Sequence, residues 1–227
     1  MYLANICVHP GCRRQALSDI NANGELVETG RFCLEHSDDP DALKGRILRY
    51  IDGHDKIVGL TAAGISFDSM EDVNLTSKRF YGCNFMHCVF RGFHSRGFRS
   101  RMSTFDFSIF SDCNLLGSNL QYTSFAGCKF IHVLFTGSEL IQNNFEGLES
   151  FQSSFDDSDL YNSRFIRAKL IDTSIRNCNI RNTVFRDIEQ TNLSLKQSNT
   201  NEAIFDERGS ALFTGMKELD NPVGALT

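Results

Sequence analysis

Three cysteines and a histidine near the N-terminus carry a spacing that could do chemistry as a unit. Cys7 and Cys12 are separated by four residues, a gap of twenty comes next, and Cys33 and His36 are separated by two. Zinc is held by four soft or borderline ligands at the corners of a tetrahedron, and two short-range pairs brought together by an intervening hairpin supply them. The pattern therefore predicts a structural zinc site built from Cys7, Cys12, Cys33 and His36, with His9 competing as a ligand. A site closed by four protein ligands stabilises a fold and leaves no coordination position for substrate, so catalysis at this metal is not expected. Elsewhere His54, His87, His94 and His132 are scattered. No nucleophile–base spacing recurs and no glycine-rich phosphate loop follows a strand, so the expectation is a protein that is not an enzyme.

The elements that would position these ligands can be placed. Leu17 and Ile20 precede Asn21-Ala22-Asn23-Gly24, and Leu26 and Val27 come after it, which predicts a hairpin turned at the Asn-Gly step between the two ligand pairs. After His36, Asp39 and Pro40 read as the cap and first residue of a helix. Leu43, Ile47, Leu48 and Ile51 make one apolar stripe, Lys44, Arg46 and Arg49 suit the later turns of a helix dipole, and Gly53 is the expected stop. The stripe needs a partner surface, so this helix is expected to cap the segment after it, and residues 1–57 form a small zinc module with its capping helix. The cysteine spacing also resembles small zinc modules of the C…GC…FC-x2-H type, some of which touch nucleic acid or protein.

Residues 58–206 carry a five-residue register. Large apolar residues recur at Leu60, Ile65, Met70, Leu75, Phe80, Phe85 and Phe90, then from Phe105 to Phe145, and again from Phe155 to Phe205. They fill 25 of thirty slots without a single insertion or deletion. Neither a 3.6-residue helix nor a two-residue strand period produces this. The slot two residues earlier is small: Ser, Thr, Ala or Cys, including Cys83, Cys88, Cys113, Cys128 and Cys178, which read as small fillers. Where the large slot is small, at Ser95, Ser100 and Ser150, the earlier slot has become Phe93, Phe98 and Leu148. That exchange keeps interior volume nearly constant. Glycines two residues after the large slot suit corners of positive φ.

This small/Asn/large unit followed by two free residues resembles the pentapeptide-repeat family, with Ser, Thr or Cys preferred to Ala and Phe to Leu. The resemblance covers about two thirds of the chain. It implies a mainly β protein, a right-handed quadrilateral β-helix with four pentapeptides per coil. Four sides give a twenty-residue superperiod, and one side reads Phe85, Phe105, Phe125, Phe145, Phe165, Phe185 and Phe205. Stacked rings at that spacing predict an aromatic spine. Residues 207–227 carry helical spacing at Leu212, Phe213, Met216 and Leu219. A short C-terminal helix there caps the last coil or joins two subunits end to end, as dimers in the resembled family do.

Function would live on outward residues. Arg91, Arg96, Arg99 and Arg101, with His94 and with Arg79 beneath Arg99, read as a basic belt for phosphate or an acidic partner. Ile131, Phe151 and Ile171 share an outward column that could dock a protein or a second subunit, beside alternating Lys129, Glu149, Lys169 and Glu189. The chain of 227 residues has a net charge of −5, which disfavours general nucleic-acid coating. Lacking a basic segment leading into an apolar run, and any stretch of roughly 18 apolar residues, it is expected in the cytoplasm with reduced thiols and no membrane contact.

The expected function is a non-enzymatic scaffold for an unidentified protein partner. Two alternatives stand beside it. Members of the resembled family that mimic DNA modulate type II topoisomerases such as gyrase, but are strongly acidic, whereas residues 58–206 hold 14 Lys and Arg against 16 Asp and Glu. The other is nucleic-acid contact through the zinc module and the arginine belt.

Overall fold

The computed structural model describes residues 5–27, 30–68 and 78–206. The expected C-terminal helix, and the slots at Met70 and Leu75, lie outside them. The N-terminal module opens with a bridge between Ile6 and Gln15 and continues into the antiparallel hairpin β1 (Asp19–Ile20) and β2 (Leu26–Val27). Its turn is closed by the Gly24 N–H on the Asn21 carbonyl at 2.9 Å, and only Gly24 takes positive φ, at 79°. Helix α1 (Pro40–Gly53) starts where expected, with the Asp39 carboxylate accepting the Ala42 N–H at 2.9 Å. Its charges are used differently from the dipole expectation. No basic residue sits in the last turn, and Arg46 instead donates twice to Asp19 of β1, at 2.9 and 3.0 Å. The last carbonyls of α1 are served from outside by the buried Lys78, whose Nζ donates to the carbonyls of Asp52 (2.5 Å) and His54 (3.2 Å).

The rest is a parallel β-solenoid of about seven turns with four faces. One face is the sheet of β3 (Lys56–Val58), β5 (Arg79–Tyr81), β7 (Arg99–Arg101) and β9 (Asn119–Gln121). The opposite face stacks β4 (Ser66–Asp68), β6 (Val89–Arg91), β8 (Ile109–Ser111), β10 (Lys129–Ile131), β11 (Glu149–Phe151), β13 (Lys169–Ile171) and β15 (Glu189–Thr191). A third carries β12 (Arg164–Ile166), β14 (Val184–Arg186) and β16 (Ile204–Phe205), and the fourth is a ladder of single bridges through His94, Asn114, Leu134, Ser154, Ser174 and Ser194. Corners fall two residues after the large slot and take positive φ whatever the residue, including Phe107 at 61° and Tyr122 at 54°. The turn from Phe105 to Ser108 shows why. Its N–H···O bond of 3.1 Å closes around Asp106 and a left-handed Phe107, the geometry of a type II turn.

The register is corrected in the first coil. Ile57 pairs with Phe80 and Phe67 with Phe90, 23 residues apart, whereas every later pairing spans 20. Three extra residues therefore lie between β4 and β5. Ile57, Ala62 and Phe67 take the large slot, and Leu60 and Ile65, expected there, sit over Cys83 and Cys88 in the other inward slot. All five are buried, whereas Val58, expected inside, is exposed. The two inward slots are two residues apart in a five-residue unit, so a three-residue insertion interchanges them and leaves apolar residues in apparent phase. Gly59 and Gly64, left-handed at φ 72° and 78°, mark the true corners.

The aromatic spine is present. From Phe85 to Phe205 the seven rings stack with centroids 5.0, 5.1, 5.5, 4.7, 5.1 and 5.3 Å apart and planes within 15° of parallel. The small slot does more than fill space. Ser163 donates to the Leu140 carbonyl (2.7 Å) while accepting the Asn143 N–H (3.0 Å), and Ser108 does the same between Phe85 and Cys88, at 2.8 and 2.9 Å. The thiols of Cys128 and Cys178 likewise donate to the carbonyls of Phe105 and Phe155, at 3.0 and 3.1 Å. By contrast the buried hydroxyls of Ser95 and Ser100, in traded slots, have no partner. The same substitution should then act with opposite sign. Ser163→Ala strands two backbone groups and is expected to cost about 1–3 kcal/mol in urea unfolding, while Ser95→Ala is expected to be neutral or stabilising.

On the surface His132 links three coils, with Nδ1 3.0 Å from Asp112 Oδ1 and Nε2 2.7 Å from Gln152 Oε1. Both ring nitrogens face oxygen acceptors, which only the doubly protonated ring can serve, and the Asp112 hydrogen bond followed by that of Gln152 raises the His132 pKa. A raised folded-state pKa gives stability that is fully present below the ordinary value of about 6.5 and lost as pH rises through the folded value. Thermal midpoints are therefore expected to fall as pH rises above about 6.5, and His132→Ala to flatten that slope.

Candidate metal centre

The ligand atoms of Cys7, Cys12, Cys33 and His36 lie within 4.8 Å of one another. Local backbone geometry assembles them. The Cys7 N–H bonds the Arg14 carbonyl at 2.9 Å, and the Cys12 N–H closes on the His9 carbonyl at 3.0 Å around a left-handed Gly11 at φ 77°. The second pair arrives on a chain held alongside the first by Val8 N–H on Arg31 O and Leu17 N–H on Phe32 O, each 2.9 Å. Gly30 makes that approach possible, since a Cβ there would sit 1.6 Å from the Leu17 carbonyl oxygen. One turn of 3₁₀ helix, Leu34–His36, then returns His36 over Cys33.

The edges of the cluster suit a tetrahedron. His36 Nδ1 is 3.5 Å from Cys7 Sγ and 3.4 Å from Cys33 Sγ, and Cys12 Sγ is 3.9 Å from Cys33 Sγ. Metal–sulfur bonds of ~2.3 Å and metal–nitrogen bonds of ~2.0 Å at tetrahedral angles require edges of about 3.8 Å (S···S) and about 3.5 Å (S···N). His9 stands beside the cluster and is not one of its four members. Its ring stacks on His36 at 3.8 Å, 8° from parallel, and its Nδ1 is 3.1 Å from the Pro10 carbonyl. At Cys7 burial pushes the thiol up, but the backbone N–H groups of Cys33 and His9 and the His36 ring outweigh it and bring the pKa down to about 6. Cys12 goes the other way: the Arg14 N–H favours its thiolate, but burial and the neighbouring sulfurs of Cys7 and Cys33 together raise it. A thiolate ready at neutral pH beside two further thiols and an imidazole is a donor set that could hold a metal ion.

The five interior cysteines are the opposite case. Burial drives Cys83 and Cys88 up to about 12 and Cys113 and Cys178 up to about 11, and raises Cys128 as well. All eight are free. The module is fixed to the solenoid by mutual bonds of Ser18 and Thr61: N–H on carbonyl oxygen one way and N–H on Oγ the other, both 2.9 Å. Buried Leu43, Ile47 and Ile51 of α1 share one core with Ile57 and Leu60, so the helix covers the first coil as expected.

Of the outward candidates, Ile131, Phe151 and Ile171 do stand in register on three adjacent strands, half-buried. Beside them Lys129 pairs with Glu149 at 3.0 Å and Lys169 with Glu189 at 3.8 Å. The arginines lie around one coil, spread over three of its faces. Arg99 and Arg101 share the β3–β5–β7–β9 face with Arg79, Arg91 lies on the opposite sheet, and Arg96 on the bridge ladder's side between Ser95 and the corner at Gly97. Lys78 and His132 were missed as structural residues. The Lys in an otherwise small slot was the available signal for the first.

Comparison with known sequences identifies the repeat. The family described as Pentapeptide repeats (8 copies) matches residues 103–147 and 152–187. These coils are similar to pentapeptide repeats. Solved structures that match the chain include the pentapeptide-repeat protein Rfr23 from the cyanobacterium Cyanothece 51142, at 15% identity over 56% of this chain and 90% of that one, with a TM-score of 0.40. QnrB1, a plasmid-mediated fluoroquinolone resistance protein, aligns at 16% identity over 74% and 89%, with a TM-score of 0.41. HetL from Nostoc sp. strain PCC 7120, a pentapeptide-repeat protein involved in heterocyst differentiation regulation, aligns at 15% over 73% and 98%, with a TM-score of 0.31. No curated protein matches the chain. Among the described residues no helix is long and apolar enough to cross a membrane.

Elemental analysis of protein purified without chelator is expected to find one metal ion per chain. Cys33→Ala should abolish the stoichiometric ion, while Cys128→Ala, at an interior thiol, should leave it in place.

Proposed function

We propose that this pentapeptide-repeat protein is a non-enzymatic scaffold, in which a zinc-stabilised N-terminal module is locked to a rigid rod that presents an outward face to a protein partner. The observation that carries this is the alignment of Ile131, Phe151 and Ile171 as an apolar outward column on adjacent strands. Such a column on a stiff surface loses little conformational entropy on binding. The inward slots are already filled by stacked rings and bridging hydroxyls, so recognition falls to the outside.

Zinc is the ion of choice for three thiolates and an imidazole at tetrahedral edges. With four protein ligands it serves the fold and not a reaction. Eight free cysteines, three of them in the metal cluster, suit a reducing compartment such as the cytoplasm. A DNA-like acidic surface, as topoisomerase mimicry would need, is interrupted by Lys56, Arg79 and Arg99 stacked on one column. Nucleic-acid contact through an arginine belt is weakened by the spread of those arginines over three faces.

The test is capture with two baits. Wild-type protein is expected to retain a partner from source-cell extract that the folded variant Phe151→Glu releases, with at least a tenfold loss in a subsequent binding titration. Equal retention by both baits would remove the column from the interface. The bound metal should be zinc by mass spectrometry of the intact protein.

A further inference from the structure

The face formed by β3, β5, β7 and β9 carries a charge order that no contact among the described residues explains. One outward column runs Lys56, Arg79, Arg99, Asn119, Glu139, Asp159, Asn179, each residue bridged to the next on the adjacent coil. Three cations stand over one another, then a neutral residue, then two acids. Like charges directly opposite across strands repel, and among the described residues none of the three cations has an ion-pair partner. Lys56 only overlies the Tyr81 ring at 5.6 Å. Among the described residues the acids also lack a cation: Glu139 accepts from Asn119 and Gln121, and Asp159 from Asn179 and the Tyr161 N–H. The opposite sheet solves the same problem by alternation, with Lys129 on Glu149 and Lys169 on Glu189.

Segregation costs stability within one chain, but it makes the column its own complement. Asn119 is the pivot. Turned end over end about an axis through that rung, the column places Arg99 against Glu139 of the partner subunit and Arg79 against Asp159 of the partner subunit, with equal rises because these coils share one spacing. In the neighbouring column Tyr81 and Tyr161 stand two coils either side of Gln121 and would face each other, while Arg101 would face Ile141 without a charge partner. The corner between this face and the bridge ladder is Gly97, Gly117 and Gly137, also symmetric about the pivot, and it opens a groove of about 380 Å³ lined by Arg79, Arg99, Arg101 and Glu139. The other edge carries Tyr122, 52% exposed at a left-handed corner on the pivot coil, where two copies would meet at the axis. We infer that this face docks an antiparallel second copy of the chain, with Arg79 and Arg99 of each protomer paired across a two-fold axis with Asp159 and Glu139 of the other.

A single face of a rod is small beside the roughly 800 Å² per partner of standard interfaces, so the association should be weak and sensitive to salt. Sedimentation equilibrium at low ionic strength is expected to show a dimer with a micromolar dissociation constant, weakened at least tenfold in 0.5 M salt. Arg99→Glu and Glu139→Arg, both exposed positions, should each be monomeric and folded, because each sets like charges against each other at both symmetric contacts. Mixing the two variants should restore a 1:1 dimer, since both contacts then join opposite charges. A wild-type protein that stays monomeric at millimolar concentration would overturn the inference. So would a dimer that survives Arg99→Glu, whether it is then lost on Phe151→Glu or on removal of residues 207–227, and so would failure of the mixed pair to associate.

Discussion

The constraint on which everything else depends is coil closure. Each outward strand and each corner hands its backbone N–H and C=O groups to the coil above or below, so every coil after the first must bring equivalent residues back into line after 20 positions. A coil of another length would leave backbone groups unpaired, at a cost comparable to lost hydrogen bonds for each buried one. Equal length then turns sequence positions into columns. A column has one environment throughout, which is why seven phenylalanines can stack in one line and why hydroxyls and thiols share another.

The first coil is the exception, and its position explains its tolerance. Its 23 residues close against the second coil on both paired faces, with the excess confined between β4 and β5. At that end the core is finished by another element, α1, whose buried Leu43, Ile47 and Ile51 join the solenoid interior. Lys78 completes the join by reaching the helix's last carbonyls from an inward slot. An end coil has only one neighbour to match, so a length change there disturbs one set of bonds where an interior coil would disturb two.

The cysteines show how one residue type is divided by environment. In the solenoid a thiol sits dry and donates to a carbonyl, and burial raises its pKa. In the N-terminal module, backbone N–H groups converge on Cys7 and lower it, with Cys12, Cys33 and His36 at tetrahedral distances. The difference lies in which polar groups face the sulfur, and it separates eight similar side chains into five structural ones and three that can hold a metal.

The sequence by itself determined what periodicity and spacing encode: the five-residue register, the aromatic column, the hairpin, the Asp39 cap and the choice of Cys7, Cys12, Cys33 and His36. These are local or strictly repeating signals, and each residue carries its meaning wherever the chain goes. The tertiary structure decided what depends on which residues become neighbours across coils. The insertion in the first coil was invisible because large residues in the other inward slot preserve the apparent phase, and only pairing of Ile57 with Phe80 exposes it. Spacing alone admits His9 as a competing ligand, whereas the fold lays its ring on His36, outside the four-residue cluster. The four arginines encircle one coil, and because five residues turn a corner, the fold sets them on three of its faces. And the ordered charges of Lys56, Arg79, Arg99, Glu139 and Asp159 form a column only because residues a full coil apart in sequence are adjacent in space.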